Sequence, residues 1–420
     1  MSETYFTLER VAQILQVSYL TVYRWVRAGK LPASKVGRQY RVSQADFAIF
    51  MDKDKPRSID SASQILHRFI GSGMMDYSYI ESRHFAVDLT LGINPLGSPF
   101  DVKKFLGKVK IDYSQYSSVT ADELRRKLAR FHQVEPSQIL VGAGASELLH
   151  LVFLTFLNPG EITLIPETTF PAFEMLALLV HANVVLVPLT QSSDTDLDSI
   201  GNQISAESKL VVLCNPNNPT GRGLDYQRTV KLIANHPQTK FLIDEANVDF
   251  GGTSFVNDLA RLSNLIIARS FSKGFGLAGL RVGYLISHPD AIYALQRRQT
   301  PFMTNVVGQV VAARALDFPK FLEKSRQYCQ AQRSWLELEL KKLGFSFVAS
   351  ESNYLLVDVT STGLSSKELI RKLNYYGANA IDGNDFRGLG YTYIRLSPRD
   401  KNTNRKFIEI LKRICRNTTL

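Results

Sequence analysis

The first fifty residues carry short bursts of apolar positions at helical spacing. Beyond about residue 77 the apolar runs become denser and shorter. Leu8, Val11, Ala12 and Leu15 fall at i, i+3, i+4 and i+7, the stripe of an amphipathic helix, and Thr7 stands where an N-cap belongs. After a break at Gln16 and Val17, Ser18 is placed to cap a second helix over Tyr19–Ala28, which Gly29 ends. Two helices joined by so short a turn read as a helix-turn-helix. Lys35–Val42 (KVGRQYRV) alternates about Gly37 like a small β-hairpin, and Ser43 with Asp46 makes a capping box for a third helix, Gln44–Met51.

Residues 52–60 (DKDKPRSID) are charged and contain a proline, as suits a linker. A second capping box, Ser61 with Gln64, precedes a short amphipathic helix that stops at Gly71–Gly73. From about residue 77 helical and strand patterns alternate. Val184–Val187, Leu210–Cys214, Phe241–Ile243 and Leu265–Ala268 are nearly continuous apolar runs, the look of strands covered on both faces. The pattern predicts an α/β fold with a mostly parallel sheet between helices.

Composition adds bounds rather than detail. A chain of 420 residues is expected to hold two or three domains, and its 45% hydrophobic content supplies sizeable cores. The formal charge of +11 suits an anionic partner, whether nucleic acid or a phosphorylated cofactor. Three cysteines, Cys214, Cys329 and Cys415, are too few and too widely spaced for a disulfide framework or a zinc site, so no metal is expected. With no signal-like start and no long apolar span, the sequence reads as a soluble, cytoplasmic protein.

The chemistry concentrates in Ser270–Tyr284 (SFSKGFGLAGLRVGY). A lysine amine there can condense with an aldehyde, Ser270, Ser272 and Arg281 can hold a phosphate, and the glycines let backbone approach it. Upstream, NPNNPTG (Asn215–Gly221) and DEA (Asp244–Ala246) each end an apolar run. At the carboxyl ends of parallel strands these segments can meet in one crevice.

The ordered set resembles the fold-type-I pyridoxal-phosphate (PLP) enzymes, the class I/II aminotransferases, over roughly residues 80–415. The resemblance implies an aminotransferase-type large domain at 77–315, with an N-terminal arm, and a smaller α+β domain at 316–420; residues 1–52 would form a separate unit and 53–76 a linker with a short helix. It implies a PLP cofactor bound to Lys273 as a Schiff base, Asp244 against the pyridine nitrogen and Asn218 at the ring hydroxyl. Gly144, Ala145 and Ser146 would open a phosphate-binding helix beside Ser270, Ser272 and Arg281. Phe170 would stack on the ring, and Tyr116 would be lent to the phosphate site of a homodimer partner. Arg395, in YIRLSPR, would clamp the substrate carboxylate, and Asn94 would also lie at the substrate.

Within this class the chain is similar to histidinol-phosphate aminotransferases and, more closely, to threonine-phosphate decarboxylases; LGINPLGSP (Leu91–Pro99) and FRGLG (Phe386–Gly390) resemble the latter. Two positions depart from that pattern. Asn247 stands where an aromatic commonly supports the ring hydroxyl, and Ile381 stands where an arginine helps to bind the substrate phosphate. Transamination between an amino acid and a keto acid is the first expectation. Decarboxylation stays open, as does a transcription regulator that uses a retired aminotransferase domain as a sensor.

Between Arg24 and Arg41 lie six basic residues and no acidic one. Residues 6–50 resemble the excisionase-type domains of the winged MerR-like class, which implies DNA as a partner. Ser18, Tyr19, Thr21, Arg24 and Arg27 on the second helix, with Arg38 and Arg41 on the hairpin, are the expected contacts.

Overall fold

The computed structural model describes residues 5–15, 17–27, 31–37, 39–43, 47 and 85–416. The expected third helix apart from Phe47, the helix following Ser61, the Gly29 stop and Arg38 lie outside the described residues. The chain divides into two compact units, Met1–Ile70 and Gly71–Leu420.

In the first unit, helices Leu8–Leu15 and Tyr19–Arg27 follow one another across the expected break. Thr7 Oγ1 accepts the Arg10 N–H at 3.2 Å and Ser18 Oγ accepts the Thr21 N–H at 3.2 Å, so both residues cap as predicted. Strands Ser34–Val36 and Gln39–Ser43 pair antiparallel, with Gly37 at φ +63° in the turn. A further strand, Tyr5–Thr7, pairs with Gln39–Ser43 and completes a three-stranded sheet that the sequence pattern did not show. Leu8, Val11, Ala12, Val22, Leu31 and Val42 form the core, with Trp25 and Tyr40 packed against it.

The second unit is built on a seven-stranded sheet. Its order is Ile139–Gly142, Gly283–Ser287, Leu265–Ser270, Lys240–Asp244, Ser208–Cys214, Ile162–Pro166 and Asn183–Val187. All neighbours run parallel except Gly283–Ser287, which is antiparallel to both of its partners. Every residue of Leu265–Ser270 is buried, and so is every residue of Ser208–Cys214 but Lys209. Helices therefore cover both faces, as near-continuous apolar strands require, and the two faces make two separate apolar clusters.

A four-stranded sheet, in the order Ser346–Phe347, Leu355–Asp358, Tyr393–Leu396, Ile381–Asp382, makes the smaller lobe. It packs with helices Pro319–Lys342, Ser366–Tyr375 and Lys401–Arg416. Val87–Asp88 pairs with Ala378–Asn379, and Val87 and Leu89 are buried in this same core. The described part of this segment is thus tied into the smaller lobe at Val87–Leu89, a contact that hydropathy pattern does not encode.

Register places the carboxyl ends of three strands together: Cys214 faces Asp244, and Asp244 faces Ala268 two residues before Ser270. Loops Asn215–Gly221, Glu245–Asn247 and Phe271–Lys273 consequently leave the sheet at one edge, where parallel-sheet proteins gather ligands.

Candidate functional site

A cavity of about 340 Å³ opens at that edge, a size suited to a small ligand. Its wall includes Lys273, Asp244, Asn218, Ser270, Ser272, Arg281, Ala145, Ser146, Phe170, Asn247 and Arg395. Residues separated by up to 250 positions are therefore brought together by the fold.

Lys273 Nζ donates to the Gly92 carbonyl at 3.0 Å. Burial, with the nearby Arg395 and Arg281 cations, lowers its amine to about 8, although Asp244 opposes the shift. Asp244 moves the other way. Burial pushes its carboxyl up to about 6, against the pull of the Ala246 N–H, which one oxygen accepts at 2.9 Å, and of Lys273.

Helix Ala145–Phe156 begins at the cavity with Gly144 at φ +86°, and no side chain caps it. A Cβ at Gly144 would come 2.7 Å from Arg281 Nη2, so glycine both permits the left-handed turn and leaves room for the guanidinium. Arg281 also reaches Ser272 Oγ at 3.4 Å. Uncapped amides, two hydroxyls and a guanidinium around one point form an anion site. Asn247 Oδ1 is buried with no hydrogen-bond partner among the described residues, a polar atom left for a ligand. This donor set, with a lysine of lowered basicity between the two ends, fits pyridoxal phosphate.

At the opposite end Arg395 Nη1 donates to Asn218 Oδ1 at 2.6 Å and Nη2 donates to the Thr90 carbonyl at 2.8 Å. Its guanidinium stands 5.4 Å from the Tyr354 ring and 5.6 Å from Phe386, sandwiched in a fixed orientation. Tyr354 lies on the cavity wall and had no sequence signal. Its hydroxyl, 3.1 Å from the Pro216 and Asn217 carbonyls, donates into the Asn215–Gly221 loop. Asn217 accepts from Thr169 Oγ1 at 2.7 Å and donates to the Thr168 carbonyl at 3.0 Å, fixing the loop that presents Phe170.

Arg269 and Asp249 also gave no sequence signal, and Glu245 entered only as part of DEA. Buried Arg269 pairs with Glu245 at 2.9 Å and Asp249 at 3.2 Å, tying the loop after Asp244 to the strand before Lys273.

Besides Gly144, which precedes the helix at the cavity, two expected residues lie off the wall. Asn94 is buried, its Nδ2 donates to the Gly274 carbonyl (2.7 Å) and Ser325 Oγ (2.8 Å), and its Oδ1 accepts the Leu96 N–H (2.9 Å). Its hydrogen-bonding capacity is spent on anchoring the loop after Lys273, which leaves little for a substrate. Tyr116 is 83% exposed and stacks on Phe302 at 4.5 Å, away from the cavity of its own chain.

In the first unit, Tyr19, Tyr23, Arg24 and Arg27 are exposed along helix Tyr19–Arg27, with Thr21 half-buried. Tyr19 stacks on Tyr23 at 6.3 Å and Tyr23 meets Tyr40 of the hairpin at 6.1 Å, joining helix and wing in one surface. Ser18 Oγ lies 2.8 Å from Thr21 Oγ1. Arg41 is already engaged, donating to the Tyr40 carbonyl at 3.1 Å and Gln39 Oε1 at 2.8 Å.

Residues 89–411 match the model of the family "Aminotransferase class I and II", and residues 5–55 match that of a "Helix-turn-helix domain". The histidinol-phosphate aminotransferase of Methanosphaera stadtmanae is 32% identical over 327 residues, covering 77% of this chain and 89% of that protein. That of Moorella thermoacetica is 31% identical, covering 78% and 85%. Among solved structures, the histidinol-phosphate aminotransferase from Clostridium acetobutylicum superposes with a TM-score of 0.73 at 25% identity, covering 79% of this chain and 99% of that one. The Sinorhizobium meliloti enzyme in complex with pyridoxal-5'-phosphate gives 0.74 at 22% identity, covering 81% and 93%, a likeness of fold. The chain belongs to the class I and II aminotransferases, which depend on pyridoxal phosphate, and carries a helix-turn-helix domain at its N-terminal end.

Proposed function

We propose that this aminotransferase transfers the amino group of an α-amino acid to a keto acid, with Lys273 as covalent anchor and proton carrier. The observation that supports it most is that Lys273, Asp244 and Arg395 share one cavity wall. When bound, pyridoxal phosphate supplies an electron sink for the bond broken at the substrate Cα.

The chain's own residues divide the remaining work. A Lys273 amine near 8 is neutral in a useful fraction at physiological pH, so it can act as nucleophile and can take and return a proton. Asp244 keeps a charge beside a ring nitrogen, while Asn218 and Asn247 serve a ring hydroxyl and Phe170 covers a ring face. Ser270, Ser272, Arg281 and the amides of Ala145 and Ser146 hold a phosphate in place. Arg395, fixed by Asn218, Thr90 and two aromatic rings, pairs with a substrate carboxylate. A carboxylate held this way is retained, which supports transamination over decarboxylation.

The exposed and stacked Tyr116 suits a homodimer in which each chain completes the other's phosphate site. The aromatic and basic surface of Tyr19, Tyr23, Arg24 and Arg27 suits the major groove of DNA. Among the described residues no helix is long and apolar enough to cross a membrane, in keeping with work in the cytoplasm.

The test is a panel of amino acids given to the PLP-loaded protein with and without a keto acid. Conversion of the cofactor to its pyridoxamine form is the expected result. Released CO₂ would identify a decarboxylase instead, and no turnover with any amino acid, with promoter binding intact, would sink the enzyme reading in favour of a regulator.

A further inference from the structure

We infer that the substrate is an α-amino acid with a neutral, apolar side chain, rather than a phosphorylated amine; this rests on the transaminase reading above. The inference comes from where charge and apolar surface lie around Arg395.

Among the described residues that line the cavity, the cations are Lys273, Arg281 and Arg395. Arg281 lies at the uncapped helix start with Ser272, at the end that suits the cofactor phosphate. Among the described residues of the wall Arg395 is therefore the cation for the substrate's anionic group, and two of its nitrogens are already bonded to Asn218 and Thr90. One guanidinium matches a carboxylate of charge −1. A phosphate ester carries roughly −1.5 to −2 and three acceptor oxygens, and it asks for more.

Two other arginines, off the cavity wall, are committed elsewhere. Arg387, in the loop after Phe386, is bound bidentate to Glu174, with Nε to Oε2 at 3.0 Å and Nη2 to Oε1 at 2.6 Å. Arg222 is paired with Asp194 at 2.6 Å.

The surface beside Arg395 is apolar instead. Ile381 is the register partner of Arg395 on the adjacent strand, so the two side chains share a face. Ile381 is fully buried against Phe386 and Leu389, which places an apolar cluster under the clamp. Leu91, Ile93 and Tyr354 supply apolar surface on the cavity wall itself. A second anion laid there would lose its hydration without gaining a cation among the described residues, whereas an aliphatic or aromatic side chain gains from burial.

The relatives named above are histidinol-phosphate aminotransferases, whose named substrate bears a phosphate ester and no carboxylate. A change of substrate within an unchanged cofactor site is what the wall predicts.

The full-length PLP-loaded protein would be titrated with L-leucine, L-phenylalanine, L-aspartate, L-histidinol phosphate and L-threonine O-3-phosphate, following the cofactor absorbance. Calorimetry with α-methyl-leucine, α-methyl-phenylalanine and α-methyl-aspartate, which cannot be transaminated, reads binding apart from turnover. The apolar ligands are expected to be favoured about 100-fold over the phosphorylated and acidic ones. Leu91→Arg, at a position 40% exposed, should shift that ratio toward the phosphorylated ligands at least about tenfold. Should that variant not fold, the wild-type panel decides by itself.

A phosphorylated amine or aspartate binding as tightly as leucine or phenylalanine would overturn the inference and leave the transaminase reading standing. Tight binding of the apolar α-methyl analogues without any amino-group transfer would do the reverse. No binding by any of the ligands would overturn both.

Discussion

The molecule offers arginines to anions in two settings, and the contrast explains what each can do. Arg395 is 7% exposed and held by an amide, a carbonyl and two rings. Arg24 and Arg27 stand exposed on helix Tyr19–Arg27. A buried, oriented guanidinium meets an anion in a low dielectric, pays little ordering entropy and is scarcely screened by salt. An exposed one contributes about 1 kcal/mol or less per pair and weakens as salt rises. The first setting suits one small ligand held in one pose. The second suits a long polyanion, where modest contacts add along its length.

The sharpest way to break that contrast is at the centre of the buried site. Lys273→Ala should remove the covalent absorbance of the loaded protein and lower amino-group transfer by at least about 10⁴-fold, since nucleophile and proton carrier go together. A visible spectrum and rate like those of the wild type would refute the assignment. DNA affinity of the same variant should be unchanged, which a mobility-shift titration would show.

A smaller and more graded effect tests what burial does to that lysine. Cofactor uptake by the apo protein needs the neutral amine, so its rate should rise about tenfold per pH unit below a midpoint near 8 and level off above it. Between pH 6 and pH 8, where half of the amine is neutral, this amounts to roughly 50-fold. The sign follows from a cation whose pKa is lowered: the deprotonated form gains population at lower pH than an exposed lysine would. Uptake still climbing steeply from pH 9 to pH 10.5, followed by stopped-flow absorbance, would show that Lys273 is not buried among cations.

How much of this was readable beforehand differs between the regions for a physical reason. The strands ending at Cys214, Asp244 and Ser270 were visible because residues covered on both faces must be apolar. The motif residues at their ends were visible because lysine, serines and glycines at fixed spacing serve one chemistry. Tyr354 was invisible, because its place depends on a packing contact with Arg395 across the smaller sheet and not on local pattern. The bond from Asn94 to the Gly274 carbonyl was not legible either, since an asparagine in a Gly- and Pro-rich loop looks alike whether it faces a ligand or a backbone carbonyl. Strand Gly283–Ser287 hid inside the motif that ends at Tyr284, and strand Tyr5–Thr7 is too short to show any periodicity.

The mildest test lies on the exposed surface. Arg24→Ala combined with Arg27→Ala should weaken DNA binding about 10- to 100-fold near 0.15 M salt, because two guanidinium contacts are lost together. The slope of log K against log salt should flatten by about two, one counterion for each lost contact. Arg41→Ala should cost less affinity, since that guanidinium is already bound to Tyr40 and Gln39 and mainly braces the wing. Amino-group transfer should not change in any of these variants. The informative failure is an affinity that drops while the salt slope stays put. Arg24 and Arg27 would then be acting on the shape of the helix surface, through the stacked Tyr19 and Tyr23, and not as counter-charges to the polyanion.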